Sequence, residues 1–368
     1  MVGGRLVGQV RIVGAGLLGS SIGLGLRARG IETIVHDASP AALALAIDYG
    51  AGRAATELDD PGLIVVAVPP DLTAQVIARE LSEFPNAIVT DVASIKLPLF
   101  EELKRLGVDT SRYLGSHPLA GRERGGAISA RGDLFIGRPW VIATSNGEDA
   151  NGEDAKKIAV IEDLILDLEA FPVLMPAEEH DRSVALVSHL PQVVSSLLAK
   201  RLLDGTDRSL GLAGQGLRDT TRIAASDPEL WIQILSANHS PIVKLLELLR
   251  VDLDSIISTL SDPSAAGARR AIAQLLAAGN SGVSRLPGKH GQDRKFSSIF
   301  VMVEDRPGEL ARLLTEIGEA KINLEDLRLE HAPGALFGLA EIAVLPEAEE
   351  RLLSELESRG WRIAEAYQ

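Results

Sequence analysis

Short apolar runs and stretches of helical period take turns along the first half of the chain. Val10–Val13, Thr33–His36, Leu63–Val68, Ala87–Thr90, Arg112–Gly115, Trp140–Thr144 and Phe171–Leu174 read as strands. Between them, Leu17–Arg29 and Asp71–Leu81 repeat apolar residues at helical spacing. This alternation predicts a parallel sheet covered by helices over residues 1–176. The pentad Asn-Gly-Glu-Asp-Ala occurs twice, at 146–150 and 151–155, and its composition predicts an exposed loop.

Over residues 177–282 the pattern changes. Val184–Leu203, Leu230–Leu235 and Ile242–Leu260 keep a helical period, strand-like alternation is scarce, and Pro191 and Pro241 mark kinks or helix starts. Ile242–Leu249 is apolar around most of its circumference, which predicts cover from a second copy, a homodimer through the helical domain. Gly279–Lys295 is rich in Gly, Ser, Lys and Arg and reads as a linker, placed at 283–296 in the domain division. Residues 297–368 then predict strand Ser298–Val303, a turn at Glu304–Gly308 and helix Glu309–Ala320. Strands Asn323–Glu330 and Phe337–Leu345, helix Glu347–Arg359 and a short strand Trp361–Ile363 follow. That order, βαββαβ, is a ferredoxin-like sandwich.

Composition narrows the classes. The 368 residues are 46% hydrophobic but only 4% aromatic, so several cores must be built from Leu, Ile, Val and Ala. A net charge of −14 argues against nucleic acid as a partner, because a nucleic-acid binder needs a basic face. With no cysteine there is no disulfide, thiolate nucleophile or Cys-ligated metal, which fits a reducing cytoplasm. No run approaches the roughly 20 apolar residues of a membrane span. Arg11 interrupts the first apolar stretch, so no signal peptide is expected either. These features predict a soluble cytoplasmic protein with no membrane partner and no metal.

Chemistry gathers at a few strand ends. Gly14-Ala15-Gly16-Leu17-Leu18-Gly19 follows the first strand and opens a helix, as in a dinucleotide-binding loop. The first glycine permits the turn, the second admits the pyrophosphate and the third lets helix and strand pack closely, with the phosphates at the helix N-terminus. Asp37 ends the next strand, 18 residues after Gly19, where a carboxylate accepts bonds from the ribose 2′-hydroxyl and favours NAD over NADP. The competing reading is a glycine-rich packing site with Asp37 as a helix cap. Val68-Pro69-Pro70 ends a strand at the same edge and either shapes the cofactor pocket or only stops the strand. The whole predicts an α/β fold, a Rossmann-type doubly wound parallel sheet with further domains after it. Two more segments, Thr90-Asp91-Val92-Ala93-Ser94-Ile95-Lys96 and Gly115-Ser116-His117-Pro118, place Ser94 and His117 where ligands bind. Ser188-His189-Leu190-Pro191 and Arg218-Asp219-Thr220-Thr221-Arg222 add polar groups from the helical domain. Taken singly, each also has a plain structural reading: a buried bonded histidine, a capped helix, solvated arginines.

Taken together, GAGLLGSSIGLGLR, TDVASIK, GSHPLAG, SHLP and RDTTRIAASDPELW resemble the prephenate and arogenate dehydrogenases of tyrosine biosynthesis. SSIFVMVEDRPGELARLL and INLEDLRLEH resemble the ACT domain, an amino-acid-sensing module. The resemblance implies NAD-dependent oxidative decarboxylation of prephenate to 4-hydroxyphenylpyruvate and CO2, with arogenate dehydrogenase as the alternative. It implies that His117 bonds the ring hydroxyl and assists its deprotonation. Ser94 would contact the same group and orient the histidine, as well as lying beside the cofactor. Arg222 would bind a substrate carboxylate, and Glu123 would gate the pocket. His189 matches the first histidine of the helical motif. The family often has a second histidine three residues later; here that residue is Gln192, which can bond the substrate but cannot titrate. Gln192, Arg218 and Asp219 are candidates for telling a keto acid from an amino acid. Asp305, Arg306, Pro307, Gly308 and Asn323 would form a regulatory site for tyrosine, with ACT domains pairing between subunits. A β-hydroxyacid dehydrogenase would want a lysine near Ser188–Ser196, which has none. A non-catalytic sensor of NAD and an amino acid is the more distant alternative.

Overall fold

A computed structural model describes residues 4–121, 125–144, 154–286, 296–330 and 337–364. They divide into two compact units, 1–254 and 255–368. The first opens with strand β1 (Val10–Val13), helix α1 (Leu17–Ala28), β2 (Thr33–His36), α2 (Pro40–Asp48), β3 (Arg53–Ala54), β4 (Leu63–Val66), α3 (Pro70–Glu83) and β5 (Ile88–Asp91). These strands form one parallel sheet in the order β3-β2-β1-β4-β5. The chain winds outward from β1 and then returns to its other side, so a crevice opens beyond the carboxyl ends of β1 and β4. Both β1 and β4 are buried along their whole length, as a central parallel strand requires. From α1, Ile22 and Leu26 enter the core formed by Val10, Ile12, Leu63 and Val65.

Beyond α4 (Leu97–Arg105) the sequence expectation needs correction. Residues 112–114 pair in parallel with β5 at Val89, but the strand that follows, β6 (Gly115–Pro118), runs antiparallel to β7 (Pro139–Thr144). β7 in turn pairs in parallel with β8 (Phe171–Pro176), giving a separate three-stranded sheet, backed by α5 (Ala155–Asp167). His117 therefore lies within an antiparallel strand opposite Val141, not at the end of a parallel one. The first NGEDA pentad and most of the second lie outside the described residues.

The helical part of this unit holds α6 (Ala177–Val184), α7 (Leu190–Arg201), α8 (Asp207–Leu210), α9 (Gln215–Thr221) and α10 (Pro228–Ala237). The long α11 (His239–Ser261) follows, and the division between the units falls inside it. A π-helical turn, Ala185–His189, joins α6 to α7 directly ahead of Pro191. A proline lacks the N–H that an α-helix needs and clashes with the carbonyl four residues back; a wider turn relieves both. Along α11, Val243, Leu248, Val251, Leu253 and Ile257 are exposed. Among the described residues no helix is long and apolar enough to cross a membrane.

The second unit contains α12 (Ala268–Val283), which extends through Gly279 to Val283 and so overrides the linker expected to begin at Gly279. There follow β9 (Ser297–Glu304), α13 (Glu309–Glu319), β10 (Asp326–Glu330), β11 (Phe337–Val344), α14 (Pro346–Ser358) and β12 (Arg362–Ala364). The four strands form an antiparallel sheet in the order β10-β11-β9-β12. Its core includes Val301, Leu313, Ile342, Leu352 and Trp361.

Arg11, the charge that breaks the apolar run of β1, is buried because α3 answers it. Its Nε lies 2.7 Å from Glu80 Oε2, and its guanidinium sits 5.1 Å from the Phe84 ring centroid. Glu80→Ala would strand this cation in the interior. The expected loss is about 3–5 kcal/mol of unfolding free energy, read as a lower urea midpoint; an unchanged midpoint would show that Arg11 reaches solvent instead.

Candidate active site

The loop between β1 and α1 is built by close contacts. Gly14 has φ +112, and a Cβ there would lie 2.3 Å from the Ala67 carbonyl oxygen; at Gly19 it would lie 1.9 Å from that of Gly14. Gly16 differs: its backbone is extended and, beyond its chain neighbours, an added Cβ would meet no atom of the described residues within 4 Å. The fold requires Gly14 and Gly19, whereas Gly16 keeps space clear at the N-terminus of α1, where no side chain caps the helix. This is the cradle a pyrophosphate needs, and the residues fit a dinucleotide. Leu17 and Leu18 form the first turn. Asp37 Oδ2 accepts the Ala15 N–H at 2.7 Å and Oδ1 accepts that of Ser39 at 2.7 Å, so it ties the loop to the end of β2. Ser39, not Asp37, caps α2. Across the crevice Val68 is half-buried, Pro69 precedes α3 and Pro70 starts it.

Next to this edge, a buried polar cluster holds the 91–96 loop. Asp91 pairs with the fully buried Lys96 and accepts the Tyr113 hydroxyl at 2.7 Å and the Ala93 N–H at 2.8 Å. Burial pushes the Lys96 pKa below its ordinary value against the pull of Asp91, and pushes the Tyr113 pKa well above 10. Ser94 sits half-buried between these anchors. Ser116 Oγ donates to the Asp91 carbonyl at 2.7 Å and receives the Trp140 indole N–H at 3.0 Å, which fixes β6 just before His117.

His117 is buried, and its Nδ1 lies 2.9 Å from Nε2 of His180 on α6. His180 Nδ1 lies 2.7 Å from Asp181 Oδ1, and the Asp181 carboxylate accepts the backbone N–H groups of Lys96 at 2.9 Å and Leu97 at 2.8 Å. The other nitrogen of His117, Nε2, makes no hydrogen bond among the described residues. Desolvation, then the neighbouring His180, Lys96 and His189, hold the His117 pKa well below 6.5. His189, at the end of the π turn, is bonded to Asn238 at 3.0 Å, with its ring edge-on to Trp231 at 5.9 Å. Burial lowers its pKa to about 4. Asn238 also donates to the Asp181 carbonyl at 2.8 Å.

The sequence placed Ser94, His117 and His189 in one site, and the structure joins His117 and His189 to the same His180–Asp181 pair. It bonds His117 to His180 rather than to Ser94. His180, Asp181 and Asn238 were not anticipated, although a signal existed: Ala177, His180, Asp181 and Val184 form the buried face of α6 at helical spacing, with two polar residues where apolar ones are the rule. Gln192 is buried on α7. Arg218, Asp219 and Arg222 are exposed, on α9 and the 3-10 turn after it, which both pack against α7; Asp219 accepts from Gln215 at 2.8 Å. Glu123 lies outside the described residues. In the second unit, Asp305-Arg306-Pro307-Gly308 forms the turn from β9 into α13, with Gly308 at φ +95, and Asn323 donates to Glu325 at 2.9 Å.

Residues 22–173 match the family described as the nucleotide-binding domain of prephenate dehydrogenase, and residues 176–274 match its dimerization domain. The chain is also 36% identical over 358 residues to a probable prephenate dehydrogenase, NovF, of Streptomyces niveus, across 95% of this chain and 98% of that one. The chain belongs to the prephenate dehydrogenase family. It is thus an oxidoreductase with a nucleotide-binding domain and a dimerization domain. The prephenate dehydrogenase of Lactococcus lactis subsp. cremoris is 26% identical, over 86% of this chain and 90% of its own. Among solved structures, an arogenate dehydrogenase from Synechocystis is 27% identical with a TM-score of 0.60, covering 74% of this chain and 99% of that one. A prephenate dehydrogenase from Aquifex aeolicus, solved with hydroxyphenyl propionate and NAD+, shares the fold with a TM-score of 0.65 at 24% identity. That likeness covers 76% of this chain and 98% of the other.

The glycine contacts separate two roles in this family member. Gly19→Ala should lower thermal stability sharply, since its Cβ would meet backbone. Gly16→Ala should change unfolding free energy by no more than about 1 kcal/mol, the scale of an exchange at a helix start, while weakening dinucleotide binding. Equal melting losses in the two variants would overturn the distinction.

Proposed function

We propose that the protein converts prephenate to 4-hydroxyphenylpyruvate and CO2 in tyrosine biosynthesis, with NAD as cofactor. The observation that carries this reading is the buried, neutral His117, whose Nδ1 is committed to His180 and whose Nε2 is left to meet a substrate hydroxyl. Gly14, Gly16, Leu17, Leu18 and Gly19 cradle the cofactor, Asp37 receives its ribose, and Val68, Pro69, Pro70 and Ser94 line the reacting end. When bound, NAD supplies the hydride acceptor.

His117 accepts the ring hydroxyl proton at Nε2 as the carbon bearing that hydroxyl gives up its hydride. The bond from the ring to its carboxylate breaks, CO2 leaves and the electron pair aromatises the ring. The forming phenolate then recovers the proton from His117, so the histidine serves as base and then as acid with no net proton released. Ser94 contacts the same hydroxyl. Arg222 pairs with a substrate carboxylate through its planar fork. His189 and Gln192 line the ring side, and Arg218 and Asp219 face the side chain; Glu123 is assigned the gate by resemblance alone. Arogenate is the competing substrate, in keeping with the likeness to the Synechocystis enzyme. The subunits pair through the helical domain, whose exposed apolar residues on α11 need cover. Residues 297–368 act as an ACT domain that binds tyrosine at Asp305–Gly308 and Asn323 and pairs with its counterpart; the observed βαββαβ order supports this. The enzyme works in the cytoplasm.

The deciding experiment measures rates with prephenate or arogenate, each with NAD or NADP, with and without tyrosine. Prephenate with NAD is expected to give the highest kcat/KM, reduced by tyrosine; no turnover of either substrate would overturn the reading. His117→Asn should lower kcat by about 10²–10⁴ with NAD affinity unchanged. The pH profile follows from burial. Because the folded pKa of His117 is depressed, the ring stays neutral as pH falls through 6.5, and the acid limb of kcat/KM should appear only well below that value. A limb centred at 6.5 or above would contradict the assignment.

A further inference from the structure

We propose that His180 and Asp181 are positioning residues that fix which nitrogen of His117 carries its proton, so that Nε2 is always presented as an acceptor. The inference deepens the reading of His117 as proton acceptor and rests on it. Its logic runs inward from the carboxylate. Asp181 receives N–H groups from Lys96 and Leu97 and faces His180 Nδ1 at 2.7 Å. A carboxylate only accepts, so His180 Nδ1 carries hydrogen. A neutral imidazole has a single N–H, so His180 Nε2 is a lone pair. That lone pair lies 2.9 Å from His117 Nδ1. With His180 neutral, the alternative would set two lone pairs against each other, so His117 carries its proton on Nδ1 and leaves Nε2 bare.

The surroundings reinforce this order. Both dyad residues occupy core positions on α6, His180 being wholly buried and Asp181 nearly so. The carboxylate is held in place by the backbone that starts α4, and the Asp181 carbonyl by Asn238. The rings of His117 and His180 meet edge to face, 5.1 Å apart at 79°. A side chain that served only to cap α4 would need the two backbone bonds and no histidine.

Full-length enzyme with 15N-labelled histidine tests the assignment. In the wild type, the His117 resonances should show hydrogen on Nδ1. Asp181→Asn can still cap α4, but its amide can turn a donor toward His180, reverse both rings and place hydrogen on Nε2 of His117. Its kcat should fall by about 10²–10⁴, with KM for prephenate and affinity for NAD within about threefold. His180→Gln, whose amide oxygen can accept the His117 proton, should retain at least about a tenth of wild-type kcat, while His180→Leu falls with Asp181→Asn; this pair carries the test if Asp181→Asn does not fold. Hydrogen on Nε2 in the wild type, a wild-type kcat in Asp181→Asn, or equal losses in both His180 variants would overturn the proposal. If His117→Asn itself leaves turnover intact, the fault lies with the catalytic reading rather than with the dyad.

Discussion

The Asp181 carboxylate is the point on which the site turns. A carboxylate removed from water is tolerable only when its oxygens are answered by donors. Here two of those donors are the backbone groups of Lys96 and Leu97 that begin α4, and the third is His180. A single group therefore fixes the loop that carries Ser94, the start of a helix and the ring behind His117. It also joins the helical part of the first unit to the sheet part, because α6 supplies the carboxylate and the β5–α4 connection receives it. The geometry of His117 is thus a consequence of how the two layers dock.

The nucleotide edge is built on a different constraint, that of space. Gly14 and Gly19 are demanded by the protein's own backbone, and would be demanded with or without a ligand. Among the described residues nothing demands Gly16, and that is why it speaks for a ligand. Asp37 serves the loop itself: its carboxylate organises it through the N–H groups of Ala15 and Ser39.

Much of this was readable in the residues. β1 and β2 fall where β-branched runs placed them, because central parallel strands are buried and favour such residues, with Arg11 in β1 as the charged exception. β3, two residues at Arg53–Ala54, leaves no pattern to read. β6 begins later than its apolar run suggested, since residues 112–114 pair across to β5 while the strand itself is Gly-Ser-His-Pro, held by Ser116, Asp91 and Trp140. Polar residues that form strands through buried side-chain bonds look like a loop in sequence. α12 ran into the start of the expected linker because its small and polar residues tolerate a helix that periodicity alone did not reveal. His180 was hidden for a geometric reason. Nine residues separate it from His189, which on a regular α-helix puts the two on opposite faces. The π turn at Ala185–His189, set by Pro191, changes that register and lets both reach the same network.

Neutrality, finally, is what burial contributes to the chemistry. Prephenate oxidation with decarboxylation takes a proton and gives it back, so the base must be unprotonated on arrival and a competent acid moments later. Desolvation keeps His117 and His189 unprotonated at neutral pH. The same desolvation would make a protonated His117 costly were there no anion within reach. His180 stands between the ring and Asp181, which puts the carboxylate one hydrogen-bonded ring away from His117, too far for a direct ion pair that would hold it protonated. A carboxylate in direct contact would raise the histidine's pKa and spoil the base; no carboxylate at all would leave the imidazolium unsupported. Two rings in series resolve the conflict, because the charge is kept at one remove while the hydrogen-bond direction is passed on unchanged.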